Sequence, residues 1–137
     1  MGTTSGERSR RQELEIPAEL DRLHETREWA NRIAEEQGLS EDDCFQIKLA
    51  MSEAVTNAII HGSSQQTDVV RIVACKGEEA LVFEVTDPGR LDTGDPIERL
   101  DEGGRGLELV SMVMDEVKLV RREGGGSLRF SKRFAAA

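Results

Sequence analysis

Met51-Ser-Glu-Ala-Val-Thr-Asn-Ala-Ile-Ile-His61 is the part of this sequence from which the architecture is best read. The segment from Leu39 to His61 contains no Gly or Pro, and Ser40 can cap its start, so we predict a helix. At about 100° per residue, Glu53 and Asn57 project about 40° apart on one face of that helix. Burying a carboxylate or an amide without a partner costs roughly 2–7 kcal/mol or more, so both groups need one.

Apolar residues border the face that carries Glu53 and Asn57. They are Leu49 and Ile60 on one side and Ala50 and Ala54 on the other. The solvated side of the helix is predicted elsewhere, along Lys48, Ser52 and Thr56. Two kinds of partner could satisfy the carboxylate and the amide: hydrogen bonds from neighbouring loops, which buried polar groups usually find, or a ligand bound against the face. The helix alone leaves both open.

Length and charge restrict the class of protein. The 137 residues fit one domain with a single hydrophobic core, which we place at residues 10–137, after a polar tail at 1–9 predicted to be disordered. A net charge of −9 disfavours a nucleic-acid or anionic-membrane surface, because either would need clustered Lys and Arg. No apolar run approaches the ~20 residues of a membrane span, and no secretory signal is visible.

The cysteines indicate a compartment. Cys44 and Cys75 are not surrounded by a Cys-x-x-Cys motif or a Cys/His cluster, so we expect two reduced thiols that pack as small hydrophobic side chains. A zinc site is disfavoured because the Cys and His residues show no ligand spacing. Reduced thiols predict a cytoplasmic protein.

Hydrophobic periodicity and turn residues predict three helices and five strands. The helices run from Pro17 or Ala18 to about Gln37, from about Ser40 to Ile60, and through Leu107, Val110, Val113 and Met114. The strands are Arg11–Ile16, Thr67–Cys75, Ala80–Thr86, Glu116–Arg122 and Ser127–Phe134. Gly38 and Gly62 end the first two helices, and Asp87 to Gly104 forms a long loop. Hairpins with helices grouped on one face predict an α+β fold, a two-layer sandwich with a mostly antiparallel sheet.

Two further motifs flank the long loop. Asp87-Pro88-Gly89 follows the hydrophobic strand Leu81-Val-Phe-Glu-Val85, and its carboxylate can accept a hydrogen bond from the exocyclic amine of adenine. The same tripeptide also suits a plain turn. Gly104-Arg105-Gly106-Leu107 lies where the loop enters a helix, so free N–H groups and the helix dipole can bind an anion there. Alone, this second motif is weak evidence, and an ordinary loop explains it better.

Glu-x-x-x-Asn on a helix, Asp-x-Gly after a strand and Gly-x-Gly-Leu entering another helix together resemble the N, G1 and G2 boxes of the GHKL (Bergerat-fold) ATP-binding superfamily. The resemblance covers about Arg11 to Phe134, and the element order matches. Within the superfamily, the short length and the stretches Glu53–His61 and Met114–Val117 are similar to the bacterial RsbW/SpoIIAB group of anti-sigma factors that are also serine protein kinases. The resemblance implies a Bergerat or histidine-kinase-type ATPase fold.

The resemblance also implies a site for ATP and Mg²⁺. The residues that it assigns to ATP are Asn57, Asp87, Gly89, Gly104, Gly106, Leu107 and Ser127. Asn57 would coordinate Mg²⁺, which takes few protein ligands, and Glu53 would accept the proton of a substrate hydroxyl. Asp87 would bind adenine directly, and the Ser127 hydroxyl would reach it through water. Arg105 would stabilise the γ-phosphate, with a solvated loop residue as its alternative role.

The sequence departs from the family pattern in the loop. The second Gly of the fuller Asp-x-Gly-x-Gly pattern is replaced by Leu91, which affects the loop conformation more than adenine recognition by Asp87 and Gly89. The loop between the two glycine motifs is long for a compact domain but short for the superfamily, which agrees with the anti-sigma kinases and disagrees with gyrase- or chaperone-type ATPases. Gly126-Ser127 stands for the Gly-Thr of the family and keeps a hydroxyl.

By resemblance, the partner is a STAS-domain anti-anti-sigma protein phosphorylated on serine or threonine, with an RNA polymerase sigma factor as competitor. Such proteins usually form homodimers, and the exposed N-terminal strand offers an edge for pairing. Three alternatives remain: a switch kinase that binds no sigma factor, a non-catalytic ATP-dependent binding module, and a small water-hydrolysing ATPase. The presence of Glu53 disfavours the binding module, and the short loop favours transfer to a protein.

Overall fold

The computed structural model describes residues 10–60, 68–88, 105–122 and 125–134. Its elements in chain order are β1 (Arg11–Pro17), a 3₁₀ turn (Leu20–Arg22), α1 (Leu23–Glu36), α2 (Glu41–Ile60), β2 (Val69–Lys76), β3 (Ala80–Asp87), α3 (Arg105–Val113), β4 (Glu116–Arg122) and β5 (Gly125–Arg133). The tail predicted at 1–9, the helix end predicted at Gly62 and most of the loop predicted between Asp87 and Gly104 lie outside the described residues. Within these ranges, no helix is long and apolar enough to cross a membrane.

The strands form one sheet in the order β1-β2-β3-β5-β4, and every described pairing is antiparallel. Alternate strand residues share a face, and the face that meets the helices buries Ile72, Phe83 and Phe130. The rings of Phe83 and Phe130 stack with centroids 5.7 Å apart, while Trp29 of α1 meets Phe83 edge-on at 6.4 Å. The predicted α+β two-layer sandwich is confirmed.

Helix α2 is the central helix of the second layer, in contact with α1, α3 and β3. Its cap is the predicted one, since the backbone N–H of Asp43 donates to Ser40 Oγ at 3.1 Å. Its buried residues cover much of its circumference: Cys44, Ile47, Ala50, Met51, Ala54, Val55 and Ala58. The side predicted to be solvated is consequently half-buried at Lys48, Ser52 and Thr56.

Helix α1 begins later than the sequence predicts. Pro17 completes β1 by pairing with Val69, and the N–H of Ala18 then donates to the carbonyl of Asp68 at 2.8 Å. Glu19 is extended, with φ −128° and ψ 131°, so helical backbone starts only at the 3₁₀ turn. The sequence pattern assigned these residues to the first helical turn, but they take part in sheet pairing instead.

Gly38 ends α1 as predicted. Its φ is +79°, a conformation that glycine adopts without a steric penalty. The reversal lets the N–H of Leu39 donate to the carbonyl of Ala34 at 3.2 Å, and the N–H of Gly38 donate to that of Glu35 at 3.0 Å. Two carbonyls at the helix end are satisfied in this way.

We expect Gly38→Ala to lower the free energy of unfolding by about 1–2 kcal/mol, because a Cβ disfavours the left-handed conformation. No other heavy atom lies within 4 Å of that Cβ, so the penalty comes from the backbone alone. Urea unfolding followed by circular dichroism measures it. Gly38→Asn is the matched control and should lose less, because Asn tolerates this region; equal losses would contradict the explanation.

Candidate functional site

Lys132 fixes one end of the helix layer to the sheet. It lies on β5 in register with the buried Leu81, the second residue of β3. Its ammonium donates to the carbonyl of Val113, the last residue of α3, at 2.7 Å, and also to Gln46 Oε1 of α2. The carboxylate of Asp43, in the first turn of α2, is 3.7 Å away. Lys132 therefore marks the end of the sheet at which α2 begins and α3 ends.

The end of α2 and the start of α3 must then lie toward the opposite end of the sheet. From Gln46 to Asn57, α2 advances about 17 Å at 1.5 Å per residue. From Leu81 to Asp87, β3 advances about 20 Å. The similar spans place the C-terminal half of α2, the end of β3 and the first turn of α3 toward the same end. The fold thus brings the described residues of the three motifs toward the same end of the sheet, although they are far apart in sequence.

Glu53 and Asn57 are both half-buried on α2. Ala50 and Ala54 on one side of them are buried, whereas Ile60 on the other side is 44% exposed. The amide nitrogen Nδ2 of Asn57 is buried and has no hydrogen-bond partner in the described part of the chain. The carboxylate of Glu53 forms no hydrogen bond or ion pair with any described residue either. The described residues therefore supply no hydrogen-bond partner for the Glu53 carboxylate or the Asn57 amide nitrogen, although protein partners were the alternative to a bound ligand.

Asp87 ends β3 opposite Gly126 of β5. It shares the helix-facing side of the sheet with Val85, two residues earlier, which is buried. The backbone N–H of Gly126 donates to Asp87 Oδ1 at 3.3 Å, which orients the carboxylate. Asp87 is half-buried. A carboxylate held at a strand end beneath the helix layer can accept a hydrogen bond from an amine that enters the site.

Ser127 does not lie beside Asp87. It is in register with Thr86, and the two hydroxyl oxygens are 2.9 Å apart. Because successive strand residues alternate between faces, this pair lies on the side of the sheet away from Asp87. The resemblance implies that the Ser127 hydroxyl reaches adenine through water; in the fold this hydroxyl pairs with that of Thr86, and Gly126 is the residue opposite Asp87.

The glycine motif before α3 is described in part. Arg105 and Gly106 are the first two residues of the helix, and Leu107 packs against the hydrophobic core. The N–H groups of this first turn have no acceptor within the helix and can bind an anion. Gly89 and Gly104, both assigned to ATP, lie outside the described residues.

Sequence reasoning missed Lys132, at the end of the sheet opposite the site, and Gly125, beside Asp87. Lys132 resembled any charged strand residue, and only its largely buried position shows that it joins two helices to the sheet. Gly125 belongs to the run from Gly124 to Gly126, which the sequence pattern explained as a hairpin turn. Three consecutive glycines were the available signal for a close backbone approach.

A model described as the histidine kinase-like ATPase domain matches residues 16–132. The chain belongs to this family. Among members of the histidine kinase-like ATPase domain family, the serine-protein kinase RsbW of Bacillus cereus (strain Q1) is 30% identical over 131 residues, covering 86% of this chain and 82% of that protein. The RsbW of Bacillus mycoides (strain KBAB4) is 30% identical over 125 residues, covering 82% and 78%.

A solved structure shows the same fold. The crystal structure of the RsbU and RsbW domains of a Mycobacterium tuberculosis protein matches with a TM-score of 0.68 and 21% identity. The match covers 89% of this chain and 32% of that one, so this histidine kinase-like ATPase domain spans about a third of the matched chain.

The side chains present fit a magnesium nucleotide. The described residues contain no group of three or more His, Cys, Asp and Glu side chains able to enclose a metal ion. Mg²⁺ commonly takes one or two protein oxygens and completes its shell with phosphates and water, so Asn57 alone can be its protein ligand. The buried Asn57 amide nitrogen, which lacks a described partner, is a polar atom that a bound phosphate oxygen could satisfy.

Proposed function

We propose that this chain is an ATP-dependent serine/threonine protein kinase and anti-sigma factor that phosphorylates a STAS-domain anti-anti-sigma protein. The observation that carries the proposal is the pair Glu53 and Asn57, which lie in the C-terminal half of α2 and whose side chains have no described protein partners. The relatives named as serine-protein kinases support the reaction class.

Each of these residues has a distinct task in the proposed reaction. Asp87 accepts a hydrogen bond from the adenine amine, and the first turn of α3 donates N–H groups to phosphate oxygens. Asn57 holds Mg²⁺, which neutralises phosphate charge when bound. Glu53, one helical turn before Asn57, accepts the proton of the attacking serine or threonine hydroxyl. Arg105 stabilises the γ-phosphate.

Glu53 also separates this proposal from its alternatives. A module that only binds ATP does not need a half-buried carboxylate without described partners. Partial burial makes such a group unfavourable, and ATP binding alone does not require a base. A switch kinase that binds no sigma factor would keep the same site, so only binding experiments distinguish it from the anti-sigma kinase. Water-hydrolysing activity would appear as phosphate release in the absence of a protein acceptor.

The proposed assembly is a homodimer in the cytoplasm, formed by a single domain of residues 10–137. β1 is the first strand in the sheet order, so one of its edges has no pairing among the described strands. Such an edge can pair with another chain.

The function is tested in two steps. Calorimetry with ATP and Mg²⁺ asks whether the chain binds the nucleotide, and the absence of binding would refute the proposal. A pull-down from the source cytosol, with and without Mg-ATP, is followed by mapping of phosphorylated residues in the retained proteins. The proposal expects one STAS-domain protein that becomes phosphorylated on serine or threonine, and a sigma factor retained separately.

Asp87→Asn should weaken ATP binding by about tenfold or more, because an amide nitrogen can donate where the carboxylate accepts from the adenine amine. Calorimetry measures the affinity. Glu84→Gln, a carboxylate of the same strand that pairs with Arg129 on the exposed face, is the control and should bind ATP like the parent protein. Unchanged affinity in Asp87→Asn would remove Asp87 from the site.

A further inference from the structure

We infer that Gly125 is a positioning residue for base recognition, because only a residue without a side chain lets β5 close onto the backbone that carries Asp87. The inference rests on the proposed nucleotide site. It concerns a residue that touches neither substrate nor metal but acts through Asp87.

The steric evidence is specific to this glycine. A Cβ added to Gly125 would approach the backbone carbonyl oxygen of Asp87 far more closely than the 3.0 Å that real Cβ contacts respect. It would also lie 3.4 Å from the carbonyl carbon of Asp87 and 3.5 Å from that of Pro88. These neighbours are backbone atoms, which cannot rotate away as a side-chain end could. A side chain at position 125 must therefore push the end of β3 and the start of β5 apart.

That separation would reach the carboxylate directly. Gly126, the next residue, donates its N–H to Asp87 Oδ1 at 3.3 Å, already near the long end of hydrogen-bond distances. A displacement of a few tenths of an ångström would break this contact and weaken the hold of β5 on the carboxylate. Asp87 would then no longer be held where an exocyclic amine can donate to it, whereas the phosphate end of the site is built from α3 and is not displaced.

Gly38 provides a control for loss of stability alone. It follows α1 with φ +79°, and a Cβ at this position would meet no other heavy atom within 4 Å. Gly38→Ala is therefore costly through its own backbone and displaces no atom of Asp87. The two substitutions add the same methyl group and differ in whether it meets the backbone of Asp87.

The experiment compares ATP with inosine triphosphate, which carries a carbonyl oxygen in place of the adenine amine. Calorimetry with Mg²⁺ measures both affinities in the parent protein, Gly125→Ala and Gly38→Ala, and urea unfolding measures their stabilities. We expect the parent to prefer ATP by about tenfold or more, Gly125→Ala to lose most of that preference while retaining inosine triphosphate within about threefold, and Gly38→Ala to keep it despite its lower stability. Equal loss of both nucleotides in Gly125→Ala, or an unchanged preference, would overturn the inference.

A second measurement covers the case in which Gly125→Ala does not fold. In the parent protein, the amide resonance of Gly126 should shift when ATP is added and shift less with inosine triphosphate, and Asp87→Asn should move it without nucleotide. A Gly126 amide indifferent to all three changes would overturn the inference. A parent that binds no nucleotide refutes the proposed function itself, so the two failures are distinguishable.

Discussion

Glu53→Gln is expected to reduce phosphoryl transfer to a STAS-domain acceptor by about 10²–10⁴-fold, the usual loss when a general base is removed. ATP affinity should remain close to that of the parent protein, because the proposed task of Glu53 is to accept a proton from the acceptor hydroxyl rather than to bind the nucleotide. The substitution is nearly isosteric, and the carboxylate of Glu53 forms no hydrogen bond or ion pair with a described residue that the change could break.

The measurement is a transfer assay with labelled ATP under single-turnover conditions, combined with calorimetry for ATP. Glu41→Gln is the control, since Glu41 is an exposed carboxylate in the first turn of the same helix. It should transfer phosphate at the parent rate. If Glu53→Gln also did so, Glu53 would be a structural residue, and a non-catalytic binding module would become the better description of the chain.

Asn57→Ala should lose Mg²⁺-dependent ATP affinity and transfer activity together. We expect at least the roughly 10–100-fold loss typical of weakening a metal site, because no other described side chain is assigned to the ion. Without nucleotide, the free energy of unfolding should be unchanged or higher, since the buried amide nitrogen has no described partner to lose. A polar residue that adds nothing to the stability of the free protein is expected at a functional site.

Calorimetry with and without Mg²⁺ separates the two contributions to affinity. Asn31→Ala serves as the control, because Asn31 donates to Glu35 within α1 at 2.6 Å and lies on a different helix from the site. A variant Asn57→Ala that bound Mg-ATP as tightly as the parent protein would exclude Asn57 as the metal ligand. A variant that unfolded more easily without nucleotide would show that the amide has a structural partner.

Features that depend on neighbours along the chain could be predicted from the sequence. Ser40 caps α2 and Gly38 ends α1 because both act through backbone groups a few residues away. The strands and their hairpins follow from alternation and turn residues, and Glu53 and Asn57 share a helix face because their spacing is close to one helical turn. The α+β fold class followed from the order of these elements.

Features that depend on pairing between distant segments could not be predicted from the sequence and are seen only in the fold. The residues expected to form the first turn of α1 belong to the sheet pairing instead. Pro17 of β1 lies opposite Val69 of β2, and the N–H of Ala18 donates to the carbonyl of Asp68. The Ser127 side chain lies on the opposite face of the sheet from Asp87. A shift of one residue in the pairing register moves every side chain of a strand to the other face, and the register of two strands cannot be predicted from either strand alone. Gly125 owes its importance to the backbone of Asp87, far away in sequence but in contact in the fold, since steric exclusion acts through space.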